Sequence, residues 1–589
     1  MKRTPALFLL LLANSAYLAA WAEASLFYFT NVALHLVLGV VVAILAARAF
    51  PGWRRAPRTL AIAAPLLAIA AVAGVALAVV GATRNNAWLL RLHIATAVLG
   101  SVLVVGWMLA TVVRRARPEE TVGTAVGLAV LGAILLATGI LVVKDRREAP
   151  QRYRIANPAL PPETMEGEGA GPKSPFFPSS ANTNVNGTIP SNFFMTSQTC
   201  ARCHEEIYKQ WSGSAHHFSS FNNQWYRKSI EYMQDVVGTQ PSKWCAGCHD
   251  HAVFFNGRFD RPIKEQIHTP EAQAGLSCTS CHSIVHVGST MGQGDFKIEY
   301  PPLHDLAASE NPVLSKVHDY LLYTDPEPHR RTFIKSFHRE QTAQFCSSCH
   351  KVHLDVPVNS YRWFRGLNEY DNWQASGVSG EGARSFYYPA KPQKCADCHM
   401  PLVAAKDPAA RDGKVHSHRF PAANTALPFV NGDAEQLKVT QDFLRDGQVS
   451  VDVFGLARVA EAAPAGEAVS QGQSSARGGE PQLASTFAQG EESGSFGTAP
   501  TVLSPPVEVI APIDKVLPTV RRGESVRVEV VVRTRKVGHF FPGGTVDAQE
   551  AWVELEAVDD KGRVILHSGA VADGGSGPVD PGAHLYRSL

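Results

Sequence analysis

The 589-residue chain has very little cysteine: ten residues, none outside positions 200–398. No disulfide framework can therefore staple the rest of the chain. Net charge is nearly absent too, since 55 Lys and Arg stand against 53 Asp and Glu for a formal +2. That balance lacks the concentrated basic footprint of a nucleic-acid binder. Charge is scarcest before residue 144, where long apolar runs dominate. The chain also exceeds the roughly 100–200 residues of one domain, so several domains are expected.

The few cysteines repeat one pattern, Cys-x-x-Cys-His, five times: Cys200/Cys203/His204, Cys245/Cys248/His249, Cys278/Cys281/His282, Cys346/Cys349/His350 and Cys395/Cys398/His399. Two thiols three positions apart can reach the two vinyl groups of one haem as thioethers, and the adjoining imidazole reaches the iron. Half a zinc site or a redox disulfide would also use Cys-x-x-Cys, but neither requires the histidine. Five covalently bound haem c groups are expected. At about forty residues per cofactor there is too little apolar chain for an ordinary core, so short helices and loops should wrap on porphyrin.

Ahead of the motifs lie apolar runs at Phe8–Ala22, Leu26–Ala47, Leu60–Val80, Trp88–Val113 and Val122–Val143. The last four approach or exceed the ~20 residues that span a hydrocarbon core. An all-α transmembrane bundle of four or five helices is expected. The first run follows Lys2 and Arg3 and ends in Ala20-Trp21-Ala22. It reads as a retained helix, with a cleaved signal peptide as the alternative. Arg48, Arg54, Arg55 and Arg58, then Arg114, Arg115 and Arg117, mark loops that the positive-inside rule keeps cytoplasmic. Everything after Val143 then emerges on the periplasmic side of a bacterial-type inner membrane. Lys144, Arg146 and Arg147 oppose this weakly, offset in part by Asp145 and Glu148.

Two histidines, His35 and His93, sit inside these runs near the outer start of their helices. An intramembrane ionisable residue is a functional hypothesis by default. The sharper reading is that the two clamp one haem b inside a helical bundle. The plainer one is a hydrogen bond to a neighbouring helix.

Residues 148–195, rich in Pro, Gly, Asn and Ser, read as a flexible linker without a core of its own. The expected plan is a transmembrane domain at 1–147, this linker, a haem domain of short helices at 196–428 and a β-rich, sandwich-like domain at 429–589. Period-two alternation in Gln448–Val453, Ser525–Val532, Ala551–Ala557 and Arg563–Leu566 supports the last. An Ala/Gly/Ser/Gln-rich stretch around 461–505 reads as a disordered insertion. The strand candidates fall short of the ~7 of an immunoglobulin sandwich, which suggests a reading frame that continues past Leu589.

After the first motif, Trp211-Ser212-Gly213-Ser214-Ala215-His216 resembles the Trp-x-x-Ser-x-His signature of the cytochrome c-554 family of multihaem cytochromes. The resemblance covers roughly residues 196–425 and implies a distal-ligand role for His216. His338, just before Cys346, and His418, after Cys398-His399-Met400-Pro401, resemble other distal-ligand positions, with His416 as the alternative to His418. His286 and His353 are further distal candidates from position alone, ahead of His251, His268 and His318. His539 is a more distant candidate. Aromatics at 361–373 and 386–389 are expected to pack on haem, with Arg362 and Arg365 placed to pair with propionates.

The expected function is electron transfer between the membrane, with quinol as donor, and a periplasmic or outer-surface redox partner. Enzyme status stays open. A weaker resemblance to pentahaem nitrite reductases offers the alternative of a reductase of nitrite, hydroxylamine or a sulfur oxyanion. Those enzymes replace one motif histidine by lysine, whereas all five motifs here end in His. A filament-forming cytochrome is the third reading.

Overall fold

A computed structural model describes residues 3–48, 56–114, 118–301, 303–382, 391–458, 508–545, 549–583 and 585–586. Lys2, Arg54, Arg55, Arg115, Arg117, the aromatics at 386–389, the insertion at 461–505 and the last three residues lie outside these. The chain packs as two compact units, residues 1–374 with 389–440 and residues 375–388 with 441–589.

Five helices open the first unit: α1 (Arg3–Ala20), α2 (Leu26–Arg48), α3 (Arg58–Val80), α4 (Ala87–Arg114) and α5 (Pro118–Arg152). Apolar side chains cover α2 to α5 on every face, the pattern of helices whose solvent is lipid. At 1.5 Å per residue, 23 residues in α2 and α3 and more in α4 and α5 suffice to cross a bilayer. Four helices thus have the length and composition of membrane spans, as in a multi-pass membrane protein. The shorter α1 joins them through Leu9, which packs with Met108 of α4 and Leu131 of α5. Asn14 Nδ2 also donates to Asn31 Oδ1 of α2 at 2.9 Å. α3 and α4 approach closely where Gly100 lies over Leu67, whose Cγ would be 2.7 Å from an added Cβ.

Among its described residues the motif region has no helix longer than 14 residues. Its core is a cluster of fully buried aromatics, including Phe193, Phe254, Phe255, Phe296 and Phe337, with Ile263 and Ile298. The small strands serve as clips. Phe296–Ile298 pairs in parallel with Asn182–Thr183 and antiparallel with Ile284–Val287, and Lys351–Leu354 pairs antiparallel with Phe364–Asn368.

The expected linker is not free of the core. Its first residues continue α5, where Arg152 pairs with Asp145 at 3.2 Å. Gln341 then brackets Ile155, accepting from its N–H at 3.1 Å and donating to its carbonyl at 2.9 Å. Ile155, Phe176, Ile189, Phe193 and Phe194 all enter the main cluster. Their irregular spacing hid them, because a segment that buries side chains through turns and 3-10 helices shows neither helical nor strand periodicity.

In the second unit the expected strands form as small antiparallel sheets. Val449–Arg458 lies between Val526–Thr534 and Val509–Ile510, while Leu555–Val558 pairs with Val564–Ser568 and Ala551–Trp552 with Leu585–Tyr586.

Candidate functional site

The third and fifth motifs each form a short helix, Cys278–His282 and Cys395–His399, the second closes the helix Thr239–His249, and the first and fourth begin at a helix end and run on into a turn. In such a turn the first cysteine, the second at i+3 and the histidine at i+4 share one face. Backbone bonds hold this shape where the helix ends: His204 N donates to Cys200 O and His350 N to Cys346 O, each at 2.9 Å. Ser277 caps the third motif by accepting from Ser280 N. No disulfide joins any of the ten cysteines. Thiols of different motifs touch: Cys200 with Cys278, Cys248 with Cys349, and Cys346 with Cys395.

Four of the five motif histidines are seen held from their far side. Nδ1 donates to Asp407 Oδ1 from His204 at 2.9 Å, to Ser219 O from His249 at 2.8 Å, to Phe333 O from His282 at 3.0 Å and to Pro421 O from His399 at 2.8 Å. This fixes the tautomer with Nδ1 protonated and leaves the Nε2 lone pair for a metal. Such a second bond is the usual support of a ligating imidazole.

Three motif imidazoles have a partner imidazole across from them. Ring centroids are 6.3 Å apart for His204 and His329, 6.1 Å for His350 and His216, and 6.2 Å for His282 and His418. Two imidazoles sharing one metal at about 2 Å from each nitrogen put their ring centres roughly 6 Å apart. The residues present therefore fit a metal between them. Burial pushes His216 and His329 down to about 3 and His418 to about 4, with neighbouring imidazoles adding to the fall. All three are neutral at physiological pH, the state in which imidazole ligates.

The loop bearing His216 is fixed by the signature residues around it. Trp211 Nε1 donates to Leu276 O at 2.9 Å, and Leu276 N donates to His216 O at 2.9 Å. Gly275, at φ +63°, lies so close that an added Cβ would be 1.7 Å from His217 O. The tryptophan thus anchors the loop to the segment leading into the third motif.

Other expected ligands are placed differently. His338 lies beside His282 at 5.4 Å, not across from His350. Its Nδ1 accepts from Lys335 N at 3.0 Å and its Nε2 donates to Cys281 O at 3.2 Å, so backbone engages both nitrogens. His353 is fully buried and pairs through Nε2 with Glu168 at 2.6 Å. His286 is an exposed strand residue opposite Lys297, and His268 is exposed. His251 is buried among Phe194, Phe255 and Phe296, and His318 pairs with Asp319. His416 gives Nδ1 to Met400 O, and His539, in the second unit, gives Nδ1 to Phe540 O. His249 is flanked by Tyr226, stacked at 4.4 Å, and no second imidazole stands across from it among the described residues.

Sequence reasoning missed His329. It lies far in sequence from the first motif, which it faces, and its only local signal is a short helix, Glu327–Phe333, with proline in its first turn. Of the aromatic stretch, Trp363 is covered by the Arg365 guanidinium at 5.0 Å, and Arg365 Nη1 is buried without a partner. A buried orphan N–H fits a carboxylate brought by a bound group.

Inside the apolar bundle, His35 of α2 and His93 of α4 face each other with ring centroids 6.1 Å apart and planes at 78°. His93 Nδ1 donates to Ala70 O at 2.7 Å. Ser15 gives its proton to Leu11 O, so its oxygen accepts from His35 Nδ1 at 3.3 Å. Gly74 makes room for the ring, since a Cβ there would be 3.0 Å from His93 Cε1. The spacing matches that of the motif pairs.

Residues 199–283, which contain the first three motifs, match the family model of cytochrome c554 and c-prime. No curated protein and no solved structure matches the chain. This stretch is a multihaem cytochrome c554-family segment, and the family implies covalently bound haem c.

Proposed function

We propose, with the c554-family segment as premise, that the chain is a membrane-anchored pentahaem cytochrome c carrying electrons between the membrane, with quinol as donor, and a periplasmic or outer-surface acceptor. One observation carries this reading: imidazoles standing in pairs one metal apart, three at the motifs and one in the bundle.

In this reading Cys200, Cys203, Cys245, Cys248, Cys278, Cys281, Cys346, Cys349, Cys395 and Cys398 hold five haem c groups. His204, His249, His282, His350 and His399 bind from the motif side. His216 closes the fourth motif and His418 the third. His35 and His93 hold one haem b. The haems supply one-electron chemistry at iron. The protein fixes tautomers, buries the imidazoles and supplies Arg365 to a propionate; no residue acts as acid or base. Neighbouring thiols of different motifs bring the cofactors into one cluster.

The sidedness is tested by fusion. A reporter active only in the periplasm should be active when placed after Ala149 and silent after Arg55. The reverse pattern would put the motifs in the cytoplasm, away from haem attachment, and sink the reading.

A further inference from the structure

Between the third and fourth motifs two helices, Pro312–Thr324 and Glu327–Phe333, are fastened to the ends of α2 and α3. Tyr28, buried in α2, donates its hydroxyl to Asp325 Oδ2 at 2.7 Å. Ala82 N, just past α3, donates to Tyr323 O at 2.9 Å, and Tyr320 Oη donates to Ala78 O at 3.2 Å. Gly81, at φ +78°, lies against the Tyr323 ring, which an added Cβ would approach to 2.5 Å. One backbone bond and three contacts made by side chains thus join these elements at a fixed junction.

The second of these helices carries His329. Glu327 steadies its first turn by pairing with Arg331 at 2.9 Å and with Arg330. The His329 ring then lies 6.3 Å from that of His204, with planes within 15°. Asp407 holds His204 by Nδ1, so its Nε2 is the free nitrogen. At the far end of the helix Phe333 O takes the Nδ1 proton of His282. One short helix thus serves the first motif with an imidazole and the third with a carbonyl.

We propose that His329 is the sixth ligand of the iron at the Cys200/Cys203/His204 motif, and that the junction with α2 and α3 holds it there. Coordination at this one haem then depends on the membrane helices. The proposal rests on the reading of that motif as a haem c site.

The test uses full-length protein matured with its haems. His329→Ala should keep the parental number of covalent haems while gaining one high-spin, carbon-monoxide-reactive iron per chain by electron paramagnetic resonance and optical titration. His268→Ala, at an exposed site, should match the parent. If His329→Ala does not accumulate, His329→Met should show a methionine–iron charge-transfer band absent from the parent. A Tyr28→Phe/Asp325→Asn double change should raise the high-spin fraction part of the way. Parental spectra in the His329 variants overturn the ligand assignment, and parental spectra in the double variant overturn the role of the junction. If Cys200→Ala/Cys203→Ala leaves the haem count unchanged, the underlying haem c reading has failed instead.

Discussion

Changing His35 or His93 to Ala is expected to strip the protein of its one extractable haem while every covalent haem stays. Each histidine supplies one side of a pair spaced for a single metal, and each is oriented by its own acceptor, Ser15 Oγ or Ala70 O. Removing such an outer partner typically costs about 10–100-fold in metal affinity, and removing the ligand costs more. Quinol-driven reduction of the covalent haems should fall by at least that order, whereas a small soluble reductant should still reduce them. The measurement is haem in acidified organic solvent against haem left on the chain. Parental extractable haem in both variants would refute the membrane site.

Gly275→Ala should open the iron of the fourth motif. The new Cβ meets His217 O at 1.7 Å, and φ +63° is a conformation that alanine resists. A non-glycine residue held there costs on the order of 1–3 kcal/mol, before any shift of backbone to relieve the overlap. Because Leu276 N bonds His216 O, relief moves the loop that bears the distal imidazole. The variant should gain about one carbon-monoxide-reactive haem per chain, as should His216→Ala, with no change in covalent haem. If Gly275→Ala gives the parental response while His216→Ala gives the new one, the turn does not control the ligand.

The legible parts of this chain were those whose chemistry is local. Thioether attachment needs two cysteines and a histidine on one turn, so the pattern survives as a string, and lipid imposes long apolar runs. The closing ligands are set by the tertiary fold. His216, a proposed ligand, stood out because Trp211 and Ser214 form a local signature around it, and the fold sets its ring near that of His350. His338 was chosen for its nearness to Cys346, yet backbone groups at Lys335 and Cys281 use its nitrogens. His353 follows a motif closely, but its partner is Glu168, from the very segment that composition presented as a linker. The surroundings of His353 and the packing of that segment are thus coupled through one contact. His329, proposed as a ligand, gave little sequence sign because a residue carried on a distant helix needs no fixed spacing from the motif it faces.

Every ligand assignment proposed at the repeated motifs depends on their being attachment sites for five haems. The most direct measurement is the intact mass and haem absorbance of the denatured chain after maturation in a host with a c-type haem assembly system, beside a Cys245→Ala/Cys248→Ala variant. Five covalent haems in the parent and four in the variant are the predicted result; a parent chain with zinc, or with no covalent haem, would contradict it.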